Sequence, residues 1–156
     1  MSDISIRLAA ETDLDGVVAC VTALFVQDSG TRDPLRDQGW PAGHAVEWCA
    51  EMMNAPTALV LAAVDGENVV GHLIGHLMPS SDMWTGARAE LVSMYVDPAN
   101  RGAGVGSRLV NAFVAWAKDS GAARLTVTAY AANEAALALY RKHGFAPLSI
   151  TSTVDL

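Results

Sequence analysis

The residues of this chain best suited to chemistry run Val96-Asp97-Pro98-Ala99-Asn100-Arg101-Gly102-Ala103-Gly104-Val105-Gly106-Ser107-Arg108-Leu109. The pattern is the end of a strand, a stop at Asp97-Pro98, and three glycines opening an amphipathic helix. Glycine lets backbone N–H groups approach an anion closely, and a helix start adds unpaired donors and the positive end of the helix dipole. In form this is a pyrophosphate cradle. A turn that binds nothing is the poorer reading, because three glycines weaken a helix start without a compensating use. Two common nucleotide sites fail on spacing. A P-loop needs Gly-Lys-Ser/Thr, whereas Gly106 is followed by Ser107-Arg108. A dinucleotide fingerprint needs GxGxxG, but the glycines fall at 102, 104 and 106, and only about 50 residues follow, too few for the rest of a doubly wound sheet.

Other candidates are spread along the chain. His72 and His76 share a face of one strand, with Ile74 between them. Spacing supplies no third metal ligand, so they read either as a proton relay near neutral pH or as ordinary sheet-surface histidines. Asp28, Asp33 and Asp37 lie in a polar stretch ending at Trp40, and acids beside an aromatic suit an organic cation; a solvated loop is the plainer alternative. Trp84 is a weaker candidate of the same kind. Cys20 and Cys49 are far apart, with no CxxC and no zinc spacing, and read as reduced core thiols.

These residues need elements to position them. Ile4, Ile6 and Leu8 alternate as in a half-buried strand. Thr12 reads as a cap with an acidic first turn, and Leu14, Val17, Val18, Val21, Leu24 and Phe25 follow at helical spacing. A loop is expected over Asp28 to Trp40, and a second helix opening at Pro41. Thr57 to Val64 and Asn68 to Met78 form a hairpin around Asp65-Gly66-Glu67, and Ala89 to Val96 a further strand. A helix spans about Gly104 to Ser120. Arg124 to Tyr130 is β-rich, Asn133 to His143 helical, and Phe145 onward a last strand. The order β-α-α-β-β-β-α-β-α-β predicts a single α+β domain over 1–156 with a mixed sheet.

The chain resembles the GCN5-related N-acetyltransferase (GNAT) superfamily. The hallmark [Gln/Arg]-x-x-Gly-x-[Gly/Ala] is met by Arg101, Gly104 and Gly106 after a strand ending Val-Asp-Pro. About 30 residues on comes the second hallmark, Asn133-Glu134-Ala135-Ala136-Leu137-Ala138-Leu139-Tyr140, then Lys142-His143-Gly144-Phe145. The N-terminal third matches only in outline. The resemblance implies a splayed, mostly antiparallel mixed sheet and acetyl-CoA as donor substrate. It implies pantetheine lying in the gap between the strand ending at Val96 and the next, paired with backbone near Met94, Tyr95 and Val96. The pyrophosphate would take the amides of Gly102, Ala103, Gly104, Val105, Gly106 and Ser107. Arg101 and Arg108 either attract phosphate or are solvent-facing helix charges. Asn133 would bond the pantetheine arm and can also cap the last helix.

Acetyl transfer to an amine requires removing a proton from the ammonium, polarising the carbonyl, and easing departure of the thiolate. The resemblance gives the oxyanion an amide near Val96 and makes Tyr140 the acid; a packed core aromatic is the alternative. Glu90 stands where some relatives keep a catalytic base, and simple alternation sets Glu90, Val92, Met94 and Val96 on one face unless a bulge intervenes. A water chain, or Glu90 merely pairing with Arg88 or Arg7, is the alternative. The expected activity is an N-acetyltransferase for a small-molecule or protein amine. A non-catalytic acyl-CoA sensor and transfer of a longer acyl group stay open.

Net charge is −7, which disfavours binding nucleic acid through its phosphates. Residues 1–87 carry 12 acids and three bases, residues 88–156 seven bases and five acids. That split suits a cationic acceptor on one side and an anionic cofactor on the other. No apolar run approaches the roughly 20 residues of a membrane helix, and Met1 to Arg7 lacks a secretory pattern. The expectation is a cytoplasmic protein without metal, whose partners are acetyl-CoA and a cationic amine acceptor, with homodimerisation left open.

Overall fold

The structure, a computed structural model, describes residues 3–156; Met1 and Ser2, part of the segment read for a leader, lie outside the described residues. The main elements are β1 (Ser5–Leu8), α1 (Leu14–Thr31), α2 (Trp40–Asn54), β2 (Ala58–Asp65), β3 (Asn68–Met78), β4 (Arg88–Val96), α3 (Val105–Asp119), β5 (Arg124–Val127) and α4 (Glu134–Lys142). The sheet order is β1-β2-β3-β4-β5, antiparallel throughout except that β5 runs parallel to β4. A parallel neighbour needs a crossover, and α3 is that crossover. The β2–β3 hairpin closes through Gly66-Glu67, with Gly66 at φ 62°.

Each face of the sheet carries its own core. On one side Val17 and Val21 of α1 and Ala45 and Cys49 of α2 pack on Val60 and Ile74. On the other, Leu109, Val110 and Phe113 of α3 and Tyr140 of α4 pack on Leu61, Leu73 and Leu91. Leu109, Val110, Phe113 and Ala117 recur at helical spacing, which fixes the buried stripe of α3. Gly75 lets α3 come close: a Cβ there would sit 2.8 Å from the Phe113 ring. Removing the Phe113 ring from this packing is worth about 3–5 kcal/mol. Cys20 and Cys49 are free and buried, and burial pushes both thiols up to about 11.

Several expected boundaries shift. A single 3-10 turn, Glu11–Asp13, precedes α1, and Asp13 rather than Thr12 makes the local bonds. Its carboxylate accepts the Ala10 amide at 2.7 Å and pairs with Arg7, whose guanidinium holds it below the usual carboxylate range. The predicted loop from Asp28 shortens to 32–39, because α1 continues to Thr31. The last strand expected from Phe145 does not form. Leu148, Ile150 and Val154 keep their alternating spacing but are 76%, 87% and 81% exposed. Alternation marks a face, whereas a strand exists only where a neighbouring edge takes its hydrogen bonds.

Candidate active site

The segment after β4 folds as a sequence of backbone caps. Asp97 accepts the Ala99 amide at 3.4 Å and opens a 3-10 turn over Pro98–Asn100. Gly102 and Gly104 then adopt φ 80° and 82°, the left-handed region that favours glycine. A Cβ built at either would meet nothing within 4 Å, so the requirement here is conformational rather than steric. Gly104 caps α3 without a side chain to cover the first amides. The N–H groups of Val105, Gly106 and Ser107 therefore belong to the helix start that has no intrahelical acceptor. The first amide bonded back is that of Arg108, to the Gly104 carbonyl at 3.1 Å.

Both arginines of this segment tie elements together, which neither sequence reading anticipated. Arg101 donates from Nε to the Val96 carbonyl at 2.7 Å and from Nη2 to the Gln27 Oε1 of α1 at 3.2 Å, with its guanidinium 5.2 Å from the Tyr95 ring. Arg108 donates to the Ile4 carbonyl at 2.7 Å. The Ser107 hydroxyl meets His143 Nε2 at 3.2 Å and Lys142 Nζ at 3.5 Å, joining the start of α3 to the end of α4. Gly106 serves the same junction, since a Cβ there would press on Leu139 at 3.2 Å.

Beside this cradle the sheet splays. Pairing of β4 with β5 runs from Arg88↔Arg124 to Leu91↔Val127 and stops, while β4 continues to Val96. The β5-facing edge of Met94, Tyr95 and Val96 thus has no strand partner. Such an edge can take an extended ligand as an added strand. A bulge at Val92 lies where the strands part: Leu91 faces Gly75 and Ser93 faces Ile74, leaving Val92 unpaired. The bulge overturns the simple alternation. Leu91, Met94 and Val96 pack on the α3 side, so Glu90, of opposite parity to Ala89 and Leu91, faces the α1–α2 side. Glu90 sits across from His76 in register. Neither expected arginine pairs with it: Arg7 is engaged with Asp13, and Arg88 stacks on Trp84 at 3.6 Å.

Helix α4 brings its two marked residues to the α3 side of the splay. Asn133 caps the helix, its side-chain oxygen accepting the Ala136 amide at 3.2 Å, which leaves its NH₂ as a free donor. Tyr140 lies two turns on, 8% exposed, with its ring edge-on to Phe145 at 5.8 Å. Burial pushes its phenol up to about 12, so it keeps its proton at neutral pH and remains a donor.

The opposite, α1–α2 side of the sheet is built differently. Asp28 pairs with Arg32 at 2.8 Å, Asp33 accepts the Leu35 amide at 3.2 Å, and Asp37 accepts the Gly39 amide at 2.8 Å. Asp28, at the end of α1, is thus held by an ion pair, and Asp33 and Asp37 by turn bonds, so these carboxylates already have partners within the segment itself. The aromatic part of that expectation is present and larger than the sequence indicated. Trp40 stacks on Phe25 at 4.9 Å and lies near His44 and Trp48. Arg36 already rests over Phe25 at 4.3 Å and reaches the Tyr130 hydroxyl at 3.4 Å. Phe25, Arg36 and Tyr130 escaped sequence reasoning because they are far apart in the chain and join only through the fold.

His72 is neither a relay nor a surface residue. It is wholly buried, bonds the Ser93 hydroxyl through Nε2 at 2.8 Å, and is held down to about 3 by desolvation. It stays neutral across the physiological range. His76 is half-buried, with Nε2 3.3 Å from the Thr57 hydroxyl. Among the described residues no group of three metal-ligating side chains occurs, and no helix is long and apolar enough to cross a membrane.

Comparison with known proteins agrees with this geometry. The model of the acetyltransferase (GNAT) family matches residues 23–145. The Bacillus subtilis (strain 168) protein named "Putative phosphinothricin acetyltransferase YwnH" is 29% identical over 91% of this chain and 83% of its own. The thialysine N-epsilon-acetyltransferase of Bos taurus is 28% identical over 92% of this chain and 85% of its own. In three dimensions the tetramutant of the BH1408 protein from Bacillus halodurans superposes with a TM-score of 0.87 at 20% identity, over 97% of this chain and 99% of that one. This last likeness is one of fold. With the family matched across most of its length, the chain belongs to the acetyltransferase (GNAT) family and is an acetyltransferase.

Proposed function

We propose that the enzyme transfers acetyl from acetyl-CoA to an amine nitrogen of a cationic acceptor. One observation carries this reading: the unpaired edge of β4 runs directly into the glycine cradle at the start of α3. A ligand that is an extended amide-bearing arm followed by a pyrophosphate suits that succession. Pantetheine would pair along Met94, Tyr95 and Val96, and the pyrophosphate would take the amides of Gly102 to Ser107. The NH₂ of Asn133 would hold the arm.

The chemistry follows from the groups around the splay. The acceptor ammonium loses a proton to Glu90, directly or through water. Its nitrogen then attacks the thioester carbon, a C–N bond forms, and an amide of the Val96 region takes the oxyanion. As the oxyanion re-forms the carbonyl, the C–S bond breaks. The nitrogen gives up its second proton, which ends on the departing CoA sulfur, while the Tyr140 hydroxyl donates a hydrogen bond to that sulfur. A phenol near 12 donates reluctantly to a thiolate whose conjugate acid lies at about 8.5, so its role is assistance and not full prior proton transfer. Glu90 faces the α1–α2 side, where the Phe25–Trp40 aromatics suit a positive charge. The name of the thialysine relative specifies the epsilon nitrogen of thialysine as its acceptor.

Thiol release from acetyl-CoA tests the reading, with thialysine, phosphinothricin, a polyamine, an aminoglycoside and a free peptide N-terminus as acceptors. At least one amine is expected to accelerate release and to be recovered acetylated. Acetyl-CoA is expected to outpace propionyl- and succinyl-CoA. Tight acetyl-CoA binding with no amine-dependent release would leave a sensor in place of an enzyme for amines.

A further inference from the structure

At the other end of β4, about 26 Å from the cradle by strand rise, the molecule holds a feature that acetyl transfer does not use. A cavity of about 160 Å³ opens there, lined by Trp84, Gly86, Arg88, Ala123 and Arg124 among others. Arg88 and Arg124 are direct partners in the β4–β5 register. Like charges placed opposite one another destabilise a sheet unless something neutralises them. No carboxylate does so: among the described residues neither guanidinium makes an ion pair or a hydrogen bond, and the Arg88 Nε is buried without an acceptor. This occurs in a chain of net charge −7, where acids are plentiful. Arg88 is meanwhile held in place, its guanidinium stacked 3.6 Å over the Trp84 ring. That stacking fixes the plane of the fork and leaves its terminal nitrogens as donors. The cavity floor is fixed too, by the Ala123 amide bonded to the Ala87 carbonyl at 2.8 Å.

We propose that Arg88, Arg124 and Trp84 form a second anion site, for a small molecule carrying a carboxylate or phosphate group. A planar guanidinium fork matches either oxyanion in two parallel hydrogen bonds. The second arginine supplies the remaining charge, and a cavity of about 160 Å³ has room for a small oxyanion. The anion would relieve the repulsion between the two strands, so its binding stabilises the β4–β5 pair on which the splay depends.

The test is a calorimetric titration of the full chain with inorganic phosphate and, separately, with malonate, in saturating CoA so that the cradle is filled. The CoA titration run first reads the proposed function on its own, and the oxyanion titrations can be repeated without CoA if that fails. One equivalent of at least one oxyanion is expected to bind and to raise Tm. Arg124→Gln, at an exposed position, and Arg88→Gln are each expected to weaken it about tenfold, with CoA affinity unchanged. Phosphate alone binding would assign a phosphorylated ligand, malonate alone a carboxylate. Failure of both to bind, or binding that neither substitution weakens in folded protein, would overturn the site.

Discussion

The two sides of the splay are made of different material. On the proposed cofactor side the groups open to a ligand are main-chain amides, because β4 lost its neighbour and because Gly104 caps α3 with no side chain. On the proposed acceptor side they are side chains: Phe25, Trp40 and Arg36, gathered from two helices and a loop. A backbone-built site fixes one geometry and tolerates wide change in side-chain identity around it. A side-chain-built site changes with each residue. The first is suited to a ligand that never varies and the second to one that differs from protein to protein.

The sharpest way to break this contrast is to give the backbone side a side chain. Gly104→Asp introduces a residue that tolerates φ 82° and sets a carboxylate among the amides proposed to hold an anion. Acetyl-CoA affinity is expected to fall by at least about 100-fold, with circular dichroism and Tm near those of the parent. Gly104→Asn, which matches the aspartate in size and in tolerance of the left-handed region but carries no charge, is expected to retain far more. Near-normal affinity in a folded Gly104→Asp would remove the cradle from the account.

Tyr140→Phe keeps the ring packed on Phe145 and removes only the donor. We expect kcat to drop roughly 10- to 100-fold, the lower end of acid–base contributions and a decade beneath it, with acetyl-CoA affinity little changed. Because the phenol lies near 12, no activity inflection from it is expected between pH 6 and about 10. A collapse of affinity with kcat intact would make Tyr140 a binding residue.

Trp40→Ala probes the other side. It removes the ring stacked on Phe25 and is expected to raise the acceptor KM about tenfold while leaving the acetyl-CoA KM alone. Equal changes in both would mean that the two sides are not separate. The smallest effect concerns Glu90. Glu90→Gln is expected to slow turnover severalfold near neutral pH and to approach the parent rate as rising pH deprotonates the acceptor unaided. A pH–rate profile parallel to the parent would leave water as the base.

The same contrast governs what the chain disclosed before folding. Gly102, Gly104 and Gly106, Asn133 and Tyr140 stand at fixed spacings within single elements, so a linear reading finds them and the elements that carry them. The bulge at Val92 was invisible, because it depends on how β4 meets β3; it moved Glu90 to the other face. His72 looked like a surface or relay histidine, yet the fold buries it against Ser93. The acids of the 32–39 loop looked available, yet short-range turn bonds take them up. In the tail, Leu148, Ile150 and Val154 carry a strand's spacing with no edge to join. Local periodicity was legible; whatever needs a partner distant in sequence was not.

Amide hydrogen exchange with and without acetyl-CoA reads the backbone itself, and so tests whether main-chain amides of β4 and α3 hold the cofactor. New protection is expected at the amides of Met94 to Val96 and Gly102 to Ser107, with little change across residues 32–39. Protection confined to the 32–39 loop, with the β4 edge and the start of α3 exchanging as freely as before, would contradict it.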